Sequence, residues 1–189
     1  LPDHKIEIQS ALKNEPVKIL FAGDLKRNIK NFDTVIAALK NLDPSQYELW
    51  ICSSIAKEKI KNKLKGISHQ FWGYVKEMDT IYEKSHILIH PCIYEPFGLV
   101  ILEAYLSGSQ IICAGAAYTG ITPLIEKESG VWILKNPLDS QELTQTLQKA
   151  IHTPPAPRTL GNWKTPQALQ QEYEKALIQV FSENSLRKT

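Results

Sequence analysis

Apolar runs of strand length alternate with helix-length amphipathic segments along most of this chain, and that alternation limits the folds open to it. Val17–Ala22, Tyr47–Cys52, Phe71–Val75, His86–His90, Gln110–Ala114 and Val131–Leu134 read as strands. Helices are expected over Phe32–Asn41, Ala56–Lys65, Met78–Lys84, Gly98–Ser107, around Pro123–Lys127, and over Ser140–His152 with Ser140 as N-cap. Parallel neighbours need crossover connections, so the pattern predicts an α/β domain. Its parallel sheet should have about six strands and carry helices on both faces. The unbroken apolar stretches Ile87–Ile89 and Ile111–Ile112 suit central strands. Ligands of such sheets bind at the carboxyl ends of the strands. Gly23–Asn31, Gly73–Lys76, Pro91–Gly98 and Gly115–Thr122 fall at that edge.

The 189 residues suffice for one domain with a substantial core, residues 17–152 by this reading. The net charge is +2, with lysines scattered among acids, which does not call for nucleic acid as a partner. No apolar run approaches the roughly 20 residues that span a bilayer. Cys52, Cys92 and Cys113 are an odd number without C-x-x-C spacing and read as reduced core residues of a cytoplasmic protein. No histidine pair has metal-ligand spacing, so neither a metal nor a cofactor is expected. The chain opens Leu1-Pro2-Asp3-His4-Lys5, which is not a signal peptide and lacks an initiator Met, as in a fragment. Residues 1–16 read as a linker remnant. Residues 153–189 read as the Pro-rich connector Thr153-Pro154-Pro155-Ala156-Pro157 and a last helix, about Thr165–Phe181.

Two carboxylates, Glu95 and Glu103, bracket the helix start Pro96-Phe97-Gly98 and the aliphatic run Leu99-Val100-Ile101-Leu102. A helix start offers free N–H groups to an anion. Glu103 should stand about 7–12 Å along from Glu95, at about 1.5 Å rise per residue. The aliphatic neighbours leave Glu103 little polar face, and a buried carboxylate needs a partner or a ligand. An elongated polyhydroxy phosphate, such as a nucleotide-sugar, fits that spacing. After the first strand, Gly23-Asp24-Leu25-Lys26-Arg27-Asn28-Ile29-Lys30 puts a Gly and basic residues at a strand-to-helix junction. That suits a diphosphate, though a solvated basic loop reads equally well. His90, beside a core strand, reads as a hydrogen-bonded structural residue.

The setting His90-Pro91-Cys92-Ile93-Tyr94-Glu95-Pro96-Phe97-Gly98-Leu99-Val100-Ile101-Leu102-Glu103-Ala104-Tyr105-Leu106-Ser107-Gly108 resembles the E-x7-E motif of glycosyltransferase family 4, the glycosyl transferases group 1. The resemblance runs from about Val17 to Phe181 and follows the order of that family's C-terminal, donor-binding domain. It implies a Rossmann-like half of a GT-B fold and a retaining, metal-independent transferase of hexosyltransferase type. Glu95 and Lys30 would be the catalytic pair. Glu95 would bind donor-sugar hydroxyls near the anomeric carbon, and the N–H groups of Phe97 and Gly98 would hold the same sugar. Leu99 and Val100 N–H groups would face the diphosphate, with Gly23, Arg27 and Lys30 beside it. Gly73-Tyr74-Val75 resembles the family's G-x-V segment, so the Val75 backbone would meet the nucleobase edge. Glu103 would bind ribose hydroxyls. Asp24 stands where the family has Arg, and Pro123 where it has Glu. Trp163 and Ala168 resemble the family's approach to its terminal helix.

The resemblance further implies that the acceptor-binding N-terminal domain of the same protein is absent from this chain. An isolated donor half should bind a nucleoside-diphosphate sugar without transferring it. The acceptor is not legible, a glycan or lipid-linked glycan being the class considered. The expected location is cytoplasmic, at the inner face of the membrane if the absent half brings it there. Two rivals stand: a catalytically silent nucleotide-sugar-binding module, and another Rossmann-type or flavodoxin-like nucleotide-binding domain. The first strand is not followed by G-x-G-x-x-G, which argues against a dinucleotide.

Overall fold

The computed structural model describes residues 15–154. The strands are β1 (Val17–Ala22), β2 (Tyr47–Cys52), β3 (His69–Gly73), β4 (Ile87–His90), β5 (Gln110–Ala114) and β6 (Val131–Leu134). The helices are α1 (Phe32–Leu39), α2 (Asp79–Lys84), α3 (Leu99–Leu106), α4 (Thr122–Ile125) and α5 (Ser140–His152). All strands pair in parallel in the order β3-β2-β1-β4-β5-β6. The expected six-stranded α/β sheet is therefore the observed one. The chain builds outwards from β1 to β3, then returns and builds the other way from β4. The strand order reverses between β1 and β4, which places a crevice at their carboxyl ends.

Burial follows this layout. Every residue of β4 and β5 is buried, whereas β3, at one edge, alternates between half-buried and exposed. Alternate strand residues face opposite sides of a sheet. Ile19, Phe21, Leu49, Ile51, Ile87 and Ile89 share one core with Val35 and Leu39 of α1 and Leu143 and Leu147 of α5. Leu20, Trp50 and Leu88, buried outside that cluster, point to the opposite face.

Four expectations change. Ala56–Lys65 is not a helix. It holds one 3-10 turn, Lys57–Lys59, and further turns, with Ile60 and Leu64 still buried as expected. Lys57, Lys61 and Lys65, like Lys59 and Lys63, would repel at i,i+4 spacing. The third strand ends at Gly73, where φ is +71°, so Tyr74 and Val75 leave the sheet. Asp139, not Ser140, caps α5, its carboxylate accepting from the Gln141 and Glu142 amides at 2.8 and 3.1 Å. Finally, α3 buries only Ile101, Ala104 and Tyr105, so Glu103 is exposed. The expected last helix and the Trp163 and Ala168 correspondence lie outside the described residues.

Candidate functional site

The loops after β1 and β4 leave the sheet side by side at the point of strand reversal. They are stitched together by the Ile93 amide, which donates to the Ile29 carbonyl at 2.9 Å. Lys30 ends a short 3-10 turn, Asn28–Lys30, and its stem lies against Gly23 at 3.5–3.7 Å from where a Cβ would stand. That direction carries the ammonium across the crevice. Lys30 Nζ donates to Glu95 Oε2 at 2.7 Å, joining residues 65 apart in sequence. His90 Nε2 lies 3.3 Å from the same oxygen. Burial pushes the His90 imidazole below its usual range, so a neutral ring with Nε2–H serves this contact. The hydrogen bond from His90 and the Lys30 ammonium together hold the Glu95 carboxyl down to about 2, against the desolvation that raises it. Glu95 is thus an ionised, preoriented acceptor at ordinary pH.

The Glu95 loop is clamped from its other side. The Glu95 amide donates to the Tyr118 carbonyl at 2.9 Å, and the Gly120 amide donates to the Glu95 carbonyl at 3.0 Å. A Cβ on Gly120 would lie 2.0 Å from the Pro96 carbonyl oxygen, so this crossing of two backbones requires glycine. Gly98, at φ +99°, then turns the chain into α3. The amides of Phe97, Gly98, Leu99 and Val100 have no hydrogen-bond acceptor among the described residues. Four N–H groups at a helix start, beside a lysine and a carboxylate, can receive an anion that carries hydroxyls.

An open cleft of about 350 Å³ continues along the sheet edge. Gly23, Ser53, Val75, Tyr82, Val100 and Glu103 line it. Glu103 is held by Tyr82, whose hydroxyl donates to Oε2 at 2.7 Å. Asp24 also lines the cleft, with its carboxylate accepting from the Lys26 amide at 3.0 Å. Arg27 is exposed and forms no ion pair among the described residues. His90, Cys92 and Glu95 bring three ligand-type atoms within 4.8 Å of one another. Glu95 there is bonded to Lys30, and Cys92 Sγ donates to the Tyr94 carbonyl at 3.1 Å.

The sequence profile of the glycosyl transferases group 1 matches residues 3–184. The chain belongs to that family. As a group 1 glycosyl transferase it is similar to an uncharacterized glycosyltransferase of Methanocaldococcus jannaschii, 32% identical over 78 residues, which are 38% of this chain and 20% of that protein. Sucrose-phosphate synthase of Thermosynechococcus elongatus superposes with a TM-score of 0.70 at 21% identity, over 91% of this chain and 47% of the synthase. Anabaena HepE, solved in complex with UDP and glucose, superposes with a TM-score of 0.61 at 20% identity, over 73% of this chain and 39% of its own. The chain therefore spans less than half the length of these relatives, and its fold is that of GT-B glycosyltransferases.

In this chain the contacts among the site residues are what sequence reasoning missed. Lys30, Glu95 and His90 were each visible as residue types, but no spacing rule links the end of one loop to the middle of another. Tyr82 carried no signal of its own, because a Tyr on an amphipathic helix reads as core. Ser53, whose hydroxyl accepts from the Leu25 and Ile55 amides at 3.3 and 3.4 Å, reads as loop polarity until the β1 and β2 loops are seen together.

Proposed function

We propose that this chain is the donor half of a retaining glycosyltransferase of hexosyltransferase type. It takes a nucleoside-diphosphate sugar along the cleft, with the sugar at Glu95, the diphosphate between Lys30 and the α3 amides, and the ribose at Glu103. The observation that carries the reading is the 2.7 Å Lys30–Glu95 pair beside four amides at the α3 start that have no acceptor among the described residues. It puts one anionic and one cationic recognition group where a sugar phosphate ester needs both. Departure of a nucleoside diphosphate needs preorganised positive charge and N–H dipoles where negative charge grows. Lys30 and the amides of residues 97–100 supply them from the protein itself, so the reading is of a metal-independent enzyme. Arg27, exposed on the same loop, can join as the phosphates arrive. The acceptor side belongs to an N-terminal domain beyond this chain, and a glycan or lipid-linked glycan is the acceptor class we favour.

A thermal-shift screen against UDP-, GDP- and ADP-sugars tests the reading. A ligand at about 100 times its Kd adds roughly 2.7 kcal/mol. No stabilisation by any of them, with the fold intact, removes the reading. A silent binding module is favoured by one observation, the acidic Asp24 on the cleft wall where the family keeps Arg. Sugar transfer by the two-domain protein separates the enzyme from that module.

A further inference from the structure

Tyr82 is almost fully buried, at 2% exposure, yet its hydroxyl reaches the cleft and ends on a carboxylate. It sits on α2, and its ring spans from the core to Glu103 on α3. The other end of the residue is fixed as well. Its carbonyl accepts from the hydroxyls of Ser85 at 3.0 Å and Ser109 at 3.3 Å, both of them buried. The phenol is pushed far above its ordinary range by burial first, and then by the Glu103 carboxylate. It remains a hydrogen-bond donor throughout the accessible pH range and never competes with Glu103 as an anion. Glu103, by contrast, is on an exposed face, where a free glutamate samples several rotamers. One fixed donor on Oε2 removes that freedom, and among the described residues Oε1 has no hydrogen-bond partner.

We propose that Tyr82 is a positioning residue that fixes the Glu103 carboxylate for a vicinal diol, and so makes the site selective for ribonucleotides. The proposal rests on the assignment of Glu103 to the ribose made above. A carboxylate accepts from two adjacent hydroxyls only when its plane is set, and the cost of setting it is then met in the folded protein before ligand arrives. Tyr82 touches Glu103 and not the diol, so its effect appears only with ligands that carry the diol.

The test compares UDP with its 2′,3′-dideoxy analogue by calorimetry on the full chain, using wild type, Tyr82→Phe and Glu103→Gln. Tyr82→Phe keeps the ring in the core and deletes only the donor. It should weaken UDP by roughly 5–20-fold, a fraction of a charge-assisted hydrogen bond. Binding of the dideoxy analogue should be unchanged. Equal losses for both nucleotides, or no loss for either, overturn the positioning role. If Glu103→Gln weakens both nucleotides equally, the ribose assignment fails, and the present proposal fails with it. If Glu103→Gln discriminates and Tyr82→Phe does not, only the present proposal fails. In the double variant the Tyr82 effect should vanish, and its survival would show that Tyr82 acts by another route. Should Tyr82→Phe destabilise the domain, the same two titrations are run below its melting temperature, where equal losses or no loss still overturn the positioning role.

Discussion

Glu95 accepts from Lys30 on the loop after β1 and from His90 at the end of β4, and one carboxylate oxygen serves both. Its carboxyl is held at about 2, against 4.5 for an unperturbed Glu. A lowered carboxyl contributes stability that is complete above the unfolded value and is lost as pH falls through the folded one. The contribution should thus fade between pH 4.5 and about 2. At full strength such a depression is worth about 3 kcal/mol, and the partial exposure of the carboxylate to water reduces this to about 2 kcal/mol. Glu95→Gln should therefore be less stable than wild type by about that much at pH 7, and the gap in urea denaturation should narrow at pH 3. A gap that stays constant would show that the pair adds nothing to folding. The two acids should separate by ligand. Glu103→Gln is expected to weaken both free nucleoside diphosphate and nucleotide-sugar. Glu95→Gln should weaken the nucleotide-sugar alone, each by roughly 1.5–3 kcal/mol. Equal effects of both changes on the free nucleoside diphosphate would show that these roles are wrongly assigned.

Two loops and a helix cap decide the behaviour of the elements around the site. The Glu95 loop runs against Thr119 in a parallel bridge, and Gly120 is the crossing point. Gly120→Ala would press a methyl into the Pro96 carbonyl and should cost more than about 3 kcal/mol, the upper end of ordinary overpacking. It should also weaken nucleotide-sugar binding by moving Glu95. Gly115→Ala is the control, because its Cβ would meet Ile133 and the Leu134 carbonyl at an ordinary 3.6 Å. Similar melting temperatures for the two variants would exclude the clamp. At α5, Asp139→Ala should cost about 1 kcal/mol while Ser140→Ala costs little, since Asp139 alone accepts from the first-turn amides. Thermal melts of the two variants decide between the caps. The boundary errors are also element-scale. Ser140 and Asp139 are both good capping residues, and only the chain path selects between them. The sequence predicts a helix over Ala56–Lys65 because Ile60 and Leu64 keep a helical spacing, and both are buried. Repulsion between lysines one turn apart does not show in an apolar pattern.

For the whole molecule, the cleft is open and is lined by the loops after β1, β2 and β3 together with α2 and α3. The purified 189-residue chain should bind nucleotide-sugar and show neither transfer nor appreciable hydrolysis of it. Robust turnover by this chain alone would refute the reading of a donor half. Lys30→Ala should weaken diphosphate binding and Asp24→Arg should tighten it by about 0.5–1.5 kcal/mol, both effects shrinking as salt screens the site. If Asp24→Arg is silent at low salt, the Asp24 carboxylate stays with the Lys26 amide and does not meet the phosphates.

By itself the sequence determined the α/β class, the six parallel strands, the buried β4 and β5, and the sheet edge where the candidate site lies. Those features follow from local periodicity, since a strand buried on both faces must be apolar throughout. It also named Glu95, Glu103, Lys30 and the α3 start, because a Gly and a Pro before an aliphatic run announce a helix N-terminus. The tertiary structure alone decided which of these groups touch. Lys30 meets Glu95 because strand order reverses between β1 and β4, and that order is a property of pairing between distant segments. It also decided that Glu103 faces solvent rather than the core. The aliphatic run around Glu103 suggests burial all round, but α3 packs through Ile101, Ala104 and Tyr105 only, and leaves Leu99 61% exposed. How much of a helix is covered depends on what lies against it, and no residue of the helix itself encodes that.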